Sequence, residues 1–254
     1  MINSLLQRFR NRGVPEANKA VSYATFVIAR MTLENYYRSA WLWGEFAATL
    51  VLYAVLFLPI RVTNAHLFAE AGLGLYTLAL LGAVVLVRSS IGGRNYLTLA
   101  KLSSRKAFAR GLILATALLR IPLFLLLLAI ILANQNIDKP DFGHIIIGSI
   151  GLIANCLVIS ALTVALSPPF STRLTRIIFI AWLGAVFSPV KEFSMLFDLL
   201  RLPFLPFAFC FNMGLTGIFE WFDLVALVVE AGYLIGLIYL AGRWLERREL
   251  LFSS

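Results

Sequence analysis

The chain has 254 residues and a formal net charge of +9; 60% of its residues are hydrophobic and only 14% are charged. A soluble domain carries about 25% charged residues, because its surface must be solvated. Here the apolar residues also form runs of about 20, the length of helix that crosses a hydrocarbon core of roughly 30 Å. The composition excludes an ordinary soluble domain and predicts an all-α, polytopic integral membrane protein.

The first 40 residues are basic and end in a predicted amphipathic helix. Within residues 21–38, charges recur every four positions at Arg30, Glu34 and Arg38, a spacing that places them on one helical face. Such a helix lies in the membrane interface more often than it crosses the membrane. We therefore expect residues 1–40 to form a cytoplasmic basic tail and an interfacial helix, in preference to a short first span.

The rest of the sequence predicts a single transmembrane domain over residues 41–244, followed by a cytoplasmic tail at 245–254. Its six spans are expected at about 41–60, 67–87, 111–133, 144–166, 177–190 and 221–244. The fifth has only 14 residues before Lys191, which is short for a simple crossing. It is extended by an irregular, proline-broken stretch, 191–220, which predicts short helices that dip into the membrane or lie on its outer surface before the last span.

The distribution of Lys and Arg predicts the orientation of the chain. If the N-terminus is inside and sides alternate at each span, the inner segments hold seventeen of these residues and the outer segments four. Cytoplasmic segments collect Lys and Arg, so both termini are expected in the cytoplasm, with the chain in the plasma membrane (a bacterial inner membrane). Contact with anionic lipid explains the net charge, and no nucleic-acid partner is expected.

Signatures of membrane enzymes are missing from the sequence. It contains no HExxH, no GxSxG and no GxxxxGK[ST] phosphate loop. Cys156, Cys210, His66 and His144 are isolated from one another, and the histidines are expected at helix boundaries. We therefore predict no catalytic residue, no metal site and no cofactor in this chain.

Two charged residues fall near the middle of predicted spans, Arg120 in the third and Glu230 in the sixth. A charge at that depth costs several kcal/mol unless it is paired or hydrated. Their distances from the inner ends of their spans, about 13 Å and about 20 Å at 1.5 Å per residue, differ by an amount that two long side chains can close. We predict a buried ion pair that either fixes helix register or serves transport. Glu45 and Glu70 lie nearer span ends and are expected to reach the interface.

The connection between the second and third spans, residues 88–110, is long and basic. It holds six Lys or Arg and no acidic residue. Lipid contact alone explains the charge, whereas docking of a soluble partner on a short cytoplasmic helix better explains the length and the pattern.

The last span contains a GxxxG spacing at Gly232 and Gly236. This spacing permits close approach of two helices. Because glycine is common in membrane helices, we interpret it as ordinary packing within the chain.

This layout resembles the permease subunit of type-2 ATP-binding-cassette (ABC) transporters. An amphipathic helix at 21–38 precedes six spans, short outer helices at 191–220 precede the last one, and the tail "RWLERRELL" is similar to the basic endings common in these permeases. The basic connection corresponds to a cytoplasmic coupling helix, with candidate ATPase-coupling residues Arg94, Lys101, Arg105 and Lys106. The resemblance covers nearly the whole chain and rests on layout.

The resemblance implies a permease that works with separate ABC ATPase subunits, in which ATP and Mg²⁺ bind. A second permease copy, identical or different, would complete the pathway. The pair would export a hydrophobic or amphipathic substrate by alternating access. The alternatives are a structural or assembly subunit of a larger membrane complex, and a secondary transporter, which would show internal repeats that are not evident here.

Overall fold

A computed structural model describes residues 14–59, 61–91, 105–134, 136–137, 139–168, 170–186 and 201–247. This part of the chain is helical and contains no strand, only an isolated bridge between Val62 and Ile137. The helices in chain order are α1 (Val14–Tyr37), α2 (Ala40–Leu56), α3 (Asn64–Ile91), α4 (Arg105–Ala133), α5 (Phe142–Leu166), α6 (Arg173–Val186), a 3₁₀ turn (Leu202–Phe204), α7 (Leu205–Thr216) and α8 (Trp221–Arg247). The predicted all-α fold is confirmed for these residues.

Four helices, α3, α4, α5 and α8, are long and apolar enough to cross a membrane. Helices α1 and α2 meet the same criterion together, but the chain bends by 73° between them. The described residues therefore give a membrane protein with four candidate spans, or five if the bent pair counts as one. The predicted number of six is not reached in this part of the chain.

The helix ends differ from the predicted spans mainly around the basic connection. Helices α3 and α4 extend beyond the predicted spans 67–87 and 111–133, so only residues 92–104 lie between them. Helix α6 stands where the fifth span, 177–190, was predicted. Its 14 residues reach about 21 Å at 1.5 Å per residue, less than a hydrocarbon core, and residues 187–200 lie outside the described part.

Helix α4 is the centre of the bundle and packs against α1, α2, α3, α5 and α8. Its buried apolar residues divide into two clusters. One cluster includes Leu112 and Leu119 and also contains residues of α1, α3, α5 and α8. The other includes Phe124 and Leu127 with residues of α2, α3 and α5. Arg120 lies between the two clusters, so a charged layer separates two apolar ones.

Helix α1 packs closely against α4 at Gly111. A Cβ atom at Gly111 would lie 2.7 Å from the side chain of Ile28 and 2.8 Å from the backbone oxygen of Thr25. Only glycine permits this approach of the two backbones. The predicted charged stripe faces away from α4, since Arg30 and Glu34 are exposed. Ile28 is buried on the side that faces α4, whereas Met31 is exposed.

Helix α7 is a short helix inserted among longer ones. Pro206 lies in its first turn, where a missing N–H costs nothing, and Gly217 ends it with a φ of 67°. It packs against α3, α5 and α8, and Cys210 and Met213 are fully buried. The prediction of short helices within 191–220 is thus confirmed for α7, which packs one face against the longer helices and leaves the opposite face, with Leu205 and Phe209, exposed.

Candidate functional site

One face of α2 carries polar residues into the bundle. Glu45, Thr49 and Tyr53 are its buried residues, and each is separated from the next by four positions. Residues spaced by four lie on the same face of a helix. The remainder of α2 is strongly apolar, so this face turns inward and the apolar residues face outward.

Glu45 forms a buried ion pair with Arg120 of α4. Arg120 Nη2 lies 2.8 Å from Glu45 Oε1, and the two side chains are 4% and 10% exposed. Arg120 Nη1 also donates a hydrogen bond of 3.1 Å to the backbone oxygen of Leu78 in α3. The pair thus joins α2, α3 and α4 at one level of the bundle.

The predicted ion pair of Arg120 with Glu230 is therefore wrong, because the partner of Arg120 is Glu45. Helices α4 and α8 do contact each other, so the two residues lie on neighbouring helices. Depth alone could not identify the partner, because Glu45 of α2 and the Leu78 oxygen of α3 also lie at the level of Arg120. Glu45 was expected at the interface; its four-residue spacing with Thr49 and Tyr53 was the signal that it faces the interior.

Gly82 of α3 makes room for the ion pair. A Cβ atom at this position would overlap Glu45 Oε1 and Arg120 Nη2. The absence of a side chain at Gly82 therefore lets the paired groups lie directly against the α3 backbone.

Tyr36, in the last turn of α1, brings that helix to the ion pair. Its side chain is 3% exposed, and its hydroxyl lies beside Glu45. Neither the hydroxyl nor Glu45 Oε2, which is also buried, has a hydrogen-bond partner at normal geometry. A donor and an acceptor thus lie within reach of each other, and any bond between them is weak.

Glu230 of α8 is another buried acid, and among the described residues it forms no ion pair. It is 1% exposed, and both of its carboxylate oxygens are inaccessible and without a hydrogen-bond partner at normal geometry. The thiol of Cys210 in α7 lies beside it, and Tyr76 of α3 and Cys156 of α5 lie close enough to interact with it electrostatically.

Asn155 links the helices that surround Glu230. Its Nδ2 donates to Tyr76 Oη at 2.8 Å and to the backbone oxygen of Phe207 at 3.1 Å, which connects α5 to α3 and α7. Its Oδ1 is buried without a partner. Asn155 Oδ1 and the two carboxylate oxygens of Glu230 are thus buried hydrogen-bond acceptors without a partner at normal geometry.

The packing of α7 over Glu230 depends on two glycines. A Cβ atom at Gly151 of α5 would overlap the backbone oxygen of Cys210, and one at Gly72 of α3 would lie 2.9 Å from the ring of Phe211. The backbone of α7 therefore lies directly on α5 at the level of Cys210.

The other predicted site residues belong to the predicted interfacial helix and to the predicted coupling loop. Arg30 and Glu34 form an exposed pair at 2.7 Å, as their spacing predicts, and Arg38 is exposed. In the predicted coupling loop, Arg94 and Lys101 lie outside the described residues. Arg105 and Lys106 belong to the first turn of α4 instead of a loop.

Within the described residues, the GxxxG spacing of α8 serves no close packing. A Cβ atom at Gly232 or Gly236 would meet nothing within 4 Å. Only 17% of the apolar window of α8 is buried, against 50% in α3, α4 and α5. The part of the chain that the structure describes thus contradicts our interpretation of this spacing as internal packing, and leaves the face of α8 at these two positions uncovered.

The two histidines stand in the first turns of their helices, as expected. His66 lies 3.0 Å from the hydroxyl of Thr63, and His144 Nε2 lies 2.7 Å from the backbone oxygen of Gly214. Within the described ranges, no group of three or more His, Cys, Asp or Glu is placed to hold a metal ion. His66 thus has a local hydrogen-bonding role at the start of α3, whereas His144 links α5 to the backbone of α7.

No protein-family model matches the chain, and no curated protein matches it either.

Proposed function

We propose that the chain is the membrane-spanning permease subunit of an ATP-driven exporter of the type-2 ABC class, and that it moves a hydrophobic or amphipathic substrate by alternating access. ATP and Mg²⁺ bind to separate ATPase subunits, and a second permease copy completes the pathway. The chain lies in the plasma membrane with both termini in the cytoplasm, because basic residues concentrate in the segments assigned to that side.

The observation that carries this proposal is the position of Tyr36 between α1 and the buried ion pair. Helix α1 presents exposed charges at Arg30 and Glu34, while its last turn places Tyr36 beside Glu45. A force applied to the outer face of α1 therefore reaches the layer that joins α2, α3 and α4. A permease driven from outside its own chain needs such a connection between a surface helix and its spans.

The weak contact between Tyr36 and Glu45 suggests how α1 acts. The Tyr36 hydroxyl and Glu45 Oε2 are both buried, and neither has a partner at normal hydrogen-bond geometry. A small shift of α1 would bring the hydroxyl into full hydrogen bonding with that oxygen, and a hydrogen bond to a charged group is worth about 1.5–3 kcal/mol. In our proposal, movement of α1 against the ATPase makes and breaks this bond and so selects between two arrangements of the spans.

The first test is co-purification of the tagged full chain in mild detergent. Recovery of a roughly equimolar protein that contains a phosphate loop and hydrolyses ATP supports the permease. A stable complex without any nucleotide-binding chain overturns the proposal.

The alternative function, an assembly subunit of a larger membrane complex, is favoured by the uncovered face of α8. Recovery of a stable complex without any nucleotide-binding chain would support this alternative.

The second test asks whether Tyr36 couples the two subunits. In the purified complex, Tyr36→Phe keeps the ring and removes the hydroxyl, and Tyr37→Phe is the matched control because Tyr37 is 50% exposed. We expect Tyr36→Phe to lower the ratio of transport to ATP hydrolysis several-fold while Tyr37→Phe leaves it unchanged. Transport is followed with a fluorescent amphiphile in proteoliposomes. Equal ratios in both variants would show that the hydroxyl has no coupling role.

A further inference from the structure

We propose that Glu230 is a proton-binding site: its carboxyl group is neutral while α7 and α8 are packed together, and it loses the proton when their contact opens to water. This inference concerns the chain alone and does not depend on a partner ATPase.

The surroundings of Glu230 disfavour its ionised form. Both oxygens are inaccessible and have no hydrogen-bond partner at normal geometry, in a side chain that is 1% exposed, and the nearest donor is the weakly donating thiol of Cys210. A buried charge is costly unless it is paired or hydrogen-bonded, and within a membrane it is more costly still. Binding a proton removes this cost without any movement of the helices.

None of the groups identified near Glu230 supplies a positive charge. They are the hydroxyl of Tyr76 from α3, the thiol of Cys156 from α5 and the thiol of Cys210 from α7. Arg120 of α4 is near enough to influence Cys156, but it is bound to Glu45 and to the Leu78 oxygen.

The nearest acid on the same helix is also engaged. Asp223, one of the charges that act on Cys210, accepts a hydrogen bond of 2.8 Å from the backbone nitrogen of Glu220 and so caps the start of α8.

A proton fits this site better than a metal ion does. Hard cations such as Ca²⁺ take six to eight oxygen ligands, and no metal-binding group of side chains is present among the described residues. A proton needs only one oxygen. The neighbouring thiols are poor ligands for such cations, which prefer oxygen.

The apolar contact between α7 and α8 beside Glu230 is small. Cys210 and Met213 of α7 and Ala226 of α8 form a separate buried cluster of three residues, the smallest in the described part of the chain. Opening it exposes little apolar surface compared with the two large clusters around α4. Water entering there would reach the carboxyl group and stabilise its ionised form.

Infrared difference spectroscopy on the purified full chain in lipid nanodiscs tests the protonation directly. At neutral pH we expect a C=O stretching band of a buried protonated carboxyl group that disappears in Glu230→Gln. Glu45→Gln is the matched control and should leave the band unchanged, because Glu45 is ionised in its pair with Arg120. Absence of the band, or its persistence in Glu230→Gln, overturns the proposal.

Labelling of Cys210 tests the link between proton loss and opening. Two proteins are compared: Cys156→Ala, and Cys156→Ala combined with Glu230→Gln. The rate at which Cys210 reacts with a maleimide should rise with pH at least several-fold more in the first protein than in the second. The second protein corrects for the ionisation of the thiol itself. Identical pH profiles would show that proton loss does not open the α7–α8 contact, and would overturn that part of the proposal.

Discussion

Glu45 and Glu230 are buried to a similar degree in the same bundle, yet their surroundings are opposite. Glu45 contacts a guanidinium group that is held in turn by a backbone carbonyl. Glu230 has beside it only the thiol of Cys210, a weak hydrogen-bond donor, and none of the groups identified near it is a cation. Burial alone therefore does not tell what a membrane acid does. The partner decides whether its charge is retained or is removed by a proton.

The packing around the two acids differs in the same way. The ion pair lies between two large apolar clusters of α4, and side chains surround it on three helices. Glu230 is covered by a short helix whose backbone rests on Gly151. We infer that the first region holds the spans in register and that the second is where the bundle opens.

The largest expected effect comes from removing Arg120. Arg120→Leu leaves Glu45 buried and unpaired, and breaking a buried pair in this way costs about 3–5 kcal/mol. Adding Glu45→Leu removes the orphaned charge, so the double variant should recover most of the lost stability. The measurement is the free energy of unfolding in mixed micelles titrated with dodecyl sulfate. A double variant as unstable as Arg120→Leu would show that the pair contributes through packing only.

The second effect is expected at Gly151, in the region of Glu230. The Cβ atom of Gly151→Ala overlaps the backbone oxygen of Cys210, and backbone cannot move aside without displacing α7. Overpacking typically costs about 1–3 kcal/mol, and we expect the upper end of that range. Gly236→Ala is the control, because nothing lies within 4 Å of its Cβ position. Equal stabilities of the two variants would contradict the close seating of α7 on α5.

A smaller effect is expected at Gly82, in the region of Glu45. Gly82→Ala overlaps the ends of two side chains, Glu45 and Arg120, which can adjust where a backbone cannot, so the cost should lie near the lower end of about 1–3 kcal/mol. Gly44→Ala serves as the control, since its Cβ meets no atom within 4 Å. When Glu45 and Arg120 are both replaced by Leu, the loss of unfolding free energy caused by Gly82→Ala should change. A double-mutant cycle measures this change.

The helical fold and most helix ends were predictable from the sequence, since apolar length decides both. The predicted spans 144–166 and 221–244 agree closely with α5 (Phe142–Leu166) and α8 (Trp221–Arg247). The partner of Arg120 was not predictable from depth, because it depends on where three helices begin and on the missing side chain of Gly82. The packing of α7 on α5 and α3 was equally unpredictable. Nothing in the sequence distinguishes Gly151 and Gly72, which α7 contacts, from other glycines of the spans.

The smallest expected effect separates the two acids most directly. Gln has nearly the shape of a protonated Glu, so Glu230→Gln should change the free energy of unfolding at neutral pH by no more than about 0.5 kcal/mol, the range of substitutions that break no specific interaction. Glu45→Gln weakens a charge-assisted hydrogen bond, which is worth about 1.5–3 kcal/mol. Both variants are measured by the same titration at neutral pH. If Glu230→Gln cost as much as Glu45→Gln, Glu230 would have to be ionised and paired in the folded bundle, and the contrast between the two regions would disappear.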